Sequence, residues 1–153
     1  MTSSYKKFEE LVKQEMRKVY SEVVIEHGMN PRNLGELEDA DGFASITGPC
    51  SDTMSIWIKV NGNTITDASF STNGCGTSRA SGSMVTEIAK GKNISEARKI
   101  KQQDVLDSLG GLPKESEHCA LLAANTLKEA IKDYLSVKRE PRKKAYRKDV
   151  QKE

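Results

Sequence analysis

The sequence is poor in cysteine. Its three thiols, Cys50, Cys75 and Cys119, are too few and too scattered for a disulfide framework, and no CxxC pair is present. An odd, sparse set in a reducing compartment points to metal or catalysis instead of covalent bracing. Long apolar runs are missing as well, since none approaches the roughly 18 residues of a membrane span. The opening Met1-Thr2-Ser3-Ser4-Tyr5-Lys6-Lys7 has no apolar core of a signal peptide. The expectation is a cytoplasmic protein without membrane contact. The main body also lacks an excess of positive charge. Residues 138–153 hold eight Lys/Arg against three Asp/Glu, whereas the rest of the chain holds 16 against 19. The basic balance belongs to the tail, so a nucleic-acid-binding domain is not expected. What remains is 153 residues, 36% hydrophobic and 30% charged: one domain with a modest core and a well-solvated surface.

Periodicity organises the chain. Phe8, Leu11, Val12, Met16, Val19, Tyr20 and Val23 recur at steps of three and four, which predicts one long helix from Ser4 to Glu26 with Gly28 as its stop. Its stripe reads as a core or partner face. His27, near the end, suits the helix dipole better than a metal, because no thiol is close in sequence. Asn30-Pro31-Arg32-Asn33-Leu34-Gly35 is a turn-rich connection. From Gly42 to Thr72 the period becomes two. Three strands follow, the last two joined by the hairpin signal Asn61-Gly62-Asn63, and the short connections predict an antiparallel meander. Helices are expected from Thr77 to Lys90, from Asn93 with Glu96 completing a capping box, from Gln102 to Leu109, and from Ser116 as cap onward to Val137. The basic tail after Val137 reads as solvated chain.

Chemistry-bearing residues fall at element ends. Cys75 lies between Gly74 and Gly76, after a strand and before a helix. Helix-terminal N–H groups there lower a thiol's pKa, so a thiolate competes with the blander role of a small buried hydrophobe. Arg79, one turn on, is either a partner for that thiolate or a surface cation. Cys50 and Asp52 sit in the turn Gly48-Pro49-Cys50-Ser51-Asp52. In extended chain, residues two apart share a face, so thiol and carboxylate can point together; a turn-capping role for Asp52 is the alternative. His118 and Cys119 fall in the first turn of the last helix. Neighbours on a helix diverge by about 100°, so both reach one metal only where the helix starts irregularly. Three thiolates with an oxygen or nitrogen ligand suit tetrahedral zinc or an iron–sulfur cluster, and spacing does not choose between them.

The ordered set of motifs does. Tyr20-Ser21-Glu22-Val23-Val24-Ile25-Glu26-His27 with Asn30-Pro31-Arg32-Asn33-Leu34-Gly35 resembles the opening motif of IscU/NifU-type iron–sulfur cluster scaffolds. Cys50-Ser51-Asp52 is similar to their Cys-Gly-Asp, Gly74-Cys75-Gly76 to their second ligand motif, and His118-Cys119 to their third. The likeness runs from about Tyr20 to Val137. It divides the chain into an N-terminal helical extension over 1–19, a scaffold domain over 20–137 and a basic tail over 138–153.

The resemblance implies an α+β fold: a three-stranded antiparallel sheet with helices packed on one side, a long N-terminal helix and a C-terminal helix. It implies a scaffold and not an enzyme. Such a scaffold builds a transient [2Fe–2S] cluster from iron and from persulfide sulfur supplied by a cysteine desulfurase, then passes it to acceptor apoproteins. Cys50, Cys75 and Cys119 would hold the cluster with Asp52, and His118 as an alternative ligand or a proton handler. Loop mobility favours Cys119 or Cys50 as persulfide acceptor. A homodimer stays open, as does zinc in the isolated protein. Three positions depart from the family pattern. Ser51 replaces a glycine, Asn73 stands where an aromatic is common, and Leu112-Pro113-Lys114-Glu115-Ser116 differs from the Leu-Pro-Pro-Val-Lys that an Hsp70-type chaperone reads, so the likeness does not extend to that partner. The histidine before Cys119 argues against the zinc-rich SufU branch. The rivals are a structural zinc module on the same ligands, and a thiol enzyme with Cys75 as nucleophile and His118 as base.

Overall fold

The computed structural model describes residues 2–139; the basic tail expected over 138–153 lies almost wholly outside the described residues. Three strands, β1 (Gly42–Thr47), β2 (Thr53–Asn61) and β3 (Thr64–Thr72), form one antiparallel sheet in the order β1-β2-β3. Among the described residues six α-helices accompany it: α1 (Thr2–Arg17), α2 (Glu22–Met29), α3 (Gly76–Ala89), α4 (Ile94–Ala97), α5 (Gln102–Leu109) and α6 (Glu117–Arg139). The α+β class with a three-stranded meander is as expected. The β2–β3 hairpin closes on Gly62 and Asn63, both at positive φ (56° and 74°), the pair of left-handed residues that a two-residue type I′ turn requires.

The period of two assigns the faces. Met54, Ile56, Ile58, Ala68 and Phe70 are fully or almost fully buried and carry the core, against which α3 and α6 pack. The packing is close enough to involve backbone. A Cβ on Gly82 of α3 would fall 2.4 Å from the Phe70 ring, and one on Gly42 of β1 would fall 2.4 Å from the Ala130 carbonyl of α6. Side chains were therefore traded for direct helix-on-sheet contact at both places. On the other face Phe43 and Trp57 stack across the β1–β2 pair, with ring centroids 5.1 Å apart. A short parallel bridge from Leu34 to Phe70 extends the β3 edge.

The single helix expected from Ser4 to Glu26 is instead two. Ser21 adopts extended angles (φ −66°, ψ 159°), accepts the Val24 N–H at 3.1 Å and donates to the Leu109 carbonyl. It caps α2 while tying it to the end of α5, and the apolar stripe runs unbroken through the interruption. Phe8, Leu11 and Val19 are exposed. Gly28 is not the stop: it lies within the last turn of α2, and Asn30 is the C-cap. Ser116 does not cap α6 either. It belongs to a 3-10 turn, Lys114–Ser116, that leads straight into that helix.

Candidate functional site

The site grows from the end of β3. Asn73 accepts the Thr53 N–H on Oδ1 at 2.8 Å, and Thr72 Oγ1 donates to the Thr53 carbonyl at 2.7 Å, so the β3 terminus is pinned to the start of β2. Gly74 follows. A Cβ there would fall 2.5 Å from Ser78 Oγ and 2.9 Å from Asp52 Oδ2, so only glycine lets the turn close over these two groups. Cys75 then takes the N-cap of α3 without a side-chain cap bond of its own. Its sulfur is left facing the helix terminus, as the flanking glycines predict.

Thr77 and Ser78, in the first turn of α3, connect the parts. Thr77 Oγ1 lies 3.1 Å from Cys75 Sγ and 3.4 Å from Cys119 Sγ. Ser78 Oγ lies 3.5 Å from Cys119 Sγ and donates to Asp52 Oδ2 at 3.0 Å. Both residues are buried. Two hydroxyls on one helical turn thus join a thiol from the α3 start, a thiol from the α6 start and a carboxylate from the β1–β2 connection. The Cys75 thiol is held below the ordinary thiol pKa, mainly by the Thr77 hydroxyl and further by the Ser78 and Thr77 amides, against a smaller opposing effect of burial.

Asp52, His118 and Cys119 each offer one ligand atom, all within 4.8 Å of one another. His118 Nε2 is 3.7 Å from Cys119 Sγ. The tightened turn at the start of α6 provides the irregular helix that neighbouring ligands need. Cys119 is only 2% exposed, so it meets its partners inside the protein. Cys50 lies outside this group. It occupies the third position of the turn Gly48–Ser51, closed by Ser51 N–H to the Gly48 carbonyl at 3.0 Å, and its thiol is exposed. The extended chain that a shared face for Cys50 and Asp52 assumes is absent, because Ser51 between them sits at φ +67°.

The other flank of Cys75 borders a half-open cleft of about 520 Å³, walled by Met16, Tyr20, Val24, Ile25 and Met29 with Arg79 beside them. His27 does not approach the ligand group. It bonds Ser83 Oγ through Nδ1 at 2.7 Å, between α2 and α3. No helix among the described residues is long and apolar enough to cross a membrane. Thr77 and Ser78 were not singled out from the sequence. Their signal is the pair of hydroxyl residues one and two places beyond Gly74-Cys75-Gly76, on a helix whose cap residue makes no cap bond.

The chain is 51% identical over 117 residues to "Iron-sulfur cluster assembly scaffold protein IscU 1" of Archaeoglobus fulgidus, covering 76% of each chain. It is 46% identical over 122 residues to "Iron-sulfur cluster assembly scaffold protein IscU" of Escherichia coli, covering 76% of this chain and 94% of that protein. In fold it resembles the N-terminal part of a NifU-like protein from Brucella abortus. That match has a TM-score of 0.62 and 18% identity, and it covers 79% of this chain and 97% of the other. Residues 19–141 match the family described as NifU-like N terminal domain, and the chain belongs to that family.

Proposed function

We propose that this protein is a scaffold on which an iron–sulfur cluster is assembled and from which it is released, and that it does not itself catalyse a reaction. The observation that carries this reading is the joining of Cys75, Cys119 and Asp52 through the Thr77 and Ser78 hydroxyls, in a chain about half identical to named scaffolds. The cluster is cargo. Cys75 and Cys119 supply soft sulfur ligands, Asp52 a harder oxygen, and His118 a nitrogen that can take the oxygen's place. Cys50 completes the set when its exposed turn moves inward, a motion that a solvent-facing four-residue turn permits.

Sulfur comes as a persulfide from a cysteine desulfurase and is reduced to sulfide by an external electron donor, and acceptor apoproteins take the finished [2Fe–2S] unit. The mixed ligand set supports release as well as assembly, because a carboxylate–iron bond exchanges more readily than a thiolate–iron bond. A nitrogen, an oxygen and a sulfur within 4.8 Å also match zinc, which is the second reading.

Anaerobic reconstitution with iron and sulfide tests the choice. A brown protein with visible charge-transfer absorption, holding two irons and two sulfides, is the expected result. A colourless protein that retains tight zinc and takes up no iron would overturn the scaffold reading.

A further inference from the structure

Helix α1 stands apart from the rest of the fold. The family match begins at residue 19, beyond the end of α1 at Arg17. None of its side chains from Ser4 to Arg17 is buried, and it meets the body mainly at α2. Yet the helix is amphipathic. At about 100° per residue, Tyr5, Phe8, Leu11, Val12 and Met16 fall on one side. Val12 and Met16 are half-buried, whereas Tyr5, Phe8 and Leu11 are 71%, 66% and 60% exposed. A helix of 16 residues draws little stability from propensity alone and depends on covering its apolar face. Only the body side of that face is covered within the chain.

The charges beside the exposed half identify its occupant. Lys7, Leu11 and Glu15 are spaced by four and form one ridge along α1. If two copies of α1 lie antiparallel with Leu11 at the two-fold axis, Lys7 of each copy meets Glu15 of the other. A parallel pair would set lysine on lysine and glutamate on glutamate. Both charges are available. Glu15 is held by Lys18 in a solvent-exposed pair at 3.0 Å, which is worth little, and Lys7 has no ion pair among the described residues. We propose that α1 is a self-association surface, and that a second copy of this chain covers Phe8 and Leu11 in an antiparallel, two-fold arrangement. An anionic lipid surface fits less well, because Glu15 lies in line with Leu11 and would be pressed against it. The helix offers a strip of about 24 by 10 Å. That is well under the roughly 800 Å² each partner buries in a stable complex, so the dimer forms in concentrated protein and dissociates on dilution. Nothing in this inference depends on the scaffold reading.

The test is sedimentation velocity on the full chain, metal-free and with its thiols kept reduced, over a dilution series from about 200 to 2 µM. The wild type is expected to pass from dimer to monomer within that range. Lys7→Glu and Glu15→Lys each replace two opposite-charge contacts by two like-charge contacts, so each is expected to raise the dissociation constant about tenfold. Mixed in equal amounts, these two variants regain complementary charges at both contacts, and dimers should return near the wild-type concentration. The double variant, with the charges exchanged, should do the same. Leu11→Glu sets two carboxylates at the axis and should abolish the dimer. All four changes are at exposed positions, and circular dichroism confirms that each variant is folded. A wild type that stays monomeric at about 200 µM would overturn the proposal. Were that monomer to sediment with vesicles of phosphatidylcholine and phosphatidylserine, the face would belong to a lipid surface instead. A wild-type dimer that the single variants leave intact, or that their mixture does not restore, would also overturn it, because the contact would then lie elsewhere. None of these readouts involves iron, so failure here and failure of reconstitution are separate results.

Discussion

The Thr77 hydroxyl stands 3.1 Å from the Cys75 sulfur, two residues along the chain and in the first turn of the helix that Cys75 caps. It is the largest influence holding that thiol below its ordinary pKa. Thr77→Val keeps the shape and removes the hydroxyl. The Cys75 pKa then rises, and alkylation of Cys75 at neutral pH slows by about three- to tenfold. Thr77→Ser retains the oxygen and stays near the wild-type rate. The pH profile of alkylation, followed for Cys75 by mass spectrometry, distinguishes this from a change in access, which would slow the reaction equally at high pH.

Gly74 has no room for a side chain. The atoms a Cβ would meet are Ser78 Oγ, Ser78 Cβ and Asp52 Oδ2, at 2.5, 2.7 and 2.9 Å, and the Ser78 side chain is buried and held between two partners. Gly74→Ala must therefore displace the turn. A cost of about 1–3 kcal/mol is expected, as for overpacking of a core, and urea unfolding measures it. The same displacement separates Asp52 from Ser78, so reconstituted iron per chain falls as well. A variant with unchanged stability and full iron content would show the turn to be more yielding than its contacts imply.

Much of this arrangement is legible in the sequence. The strand meander follows from the period of two and from Asn61-Gly62-Asn63, and α5 from its flanking signals, because these features are set by neighbours in the chain. The break between α1 and α2 is not legible. Met16, Val19, Tyr20 and Val23 continue the helical stripe, while the residue that interrupts it, Ser21, finds its second partner in Leu109, 88 positions away. Cys50 illustrates the same limit at short range. The rule that residues two apart share a face assumes an extended chain, and the left-handed Ser51 removes that assumption. Asn73 accepts a hydrogen bond from the Thr53 N–H, a partner 20 positions away that only the paired strands reveal.

Ser51 itself offers a stability test. A non-glycine residue in the left-handed region costs about 1–2 kcal/mol. Ser51→Gly removes that cost, while glycine's freer unfolded chain cancels about 0.5–1 kcal/mol of the gain. The expected result is a variant more stable by about 0.5 kcal/mol, read from urea midpoints at unchanged m-value. The more permissive turn should also raise the hydrogen-exchange rate around Cys50.

His27 predicts an acid-side loss of stability. Burial lowers its pKa first and the Arg32 charge second, against the smaller opposing pull of Glu87 and Glu26. The folded protein thus releases the His27 proton more readily than the unfolded chain, which titrates near the ordinary value of 6.5. The contribution of neutral His27 is fully present above pH 6.5 and is lost as the pH falls from there through the folded-state pKa. His27→Gln removes this titration, so its melting temperature should change less between about pH 7 and pH 5 than that of the wild type. Parallel curves for the two proteins would mean that the imidazole is not the group being protonated.

The proposed scaffold role gives Asp52 a part in release. Its Oδ2 accepts the Ser78 hydroxyl at 3.0 Å, which fixes the carboxylate beside His118 and Cys119 without using all of its lone pairs. Under the proposed scaffold role Asp52 would be the hard ligand in a soft set and would form the weakest iron bond, the natural point for an acceptor thiol to enter. Asp52→Ala leaves thiolate and imidazole ligands alone, so the cluster should still form but pass several-fold more slowly to an apo-ferredoxin, followed by the change in visible circular dichroism. Ser78→Ala is the sharper comparison, because it keeps the carboxylate and frees its orientation. Transfer from that variant should remain closer to wild type than transfer from Asp52→Ala. If both variants deliver at the wild-type rate, the carboxylate takes no part in release, and exchange must begin instead at one of the thiolates or at His118.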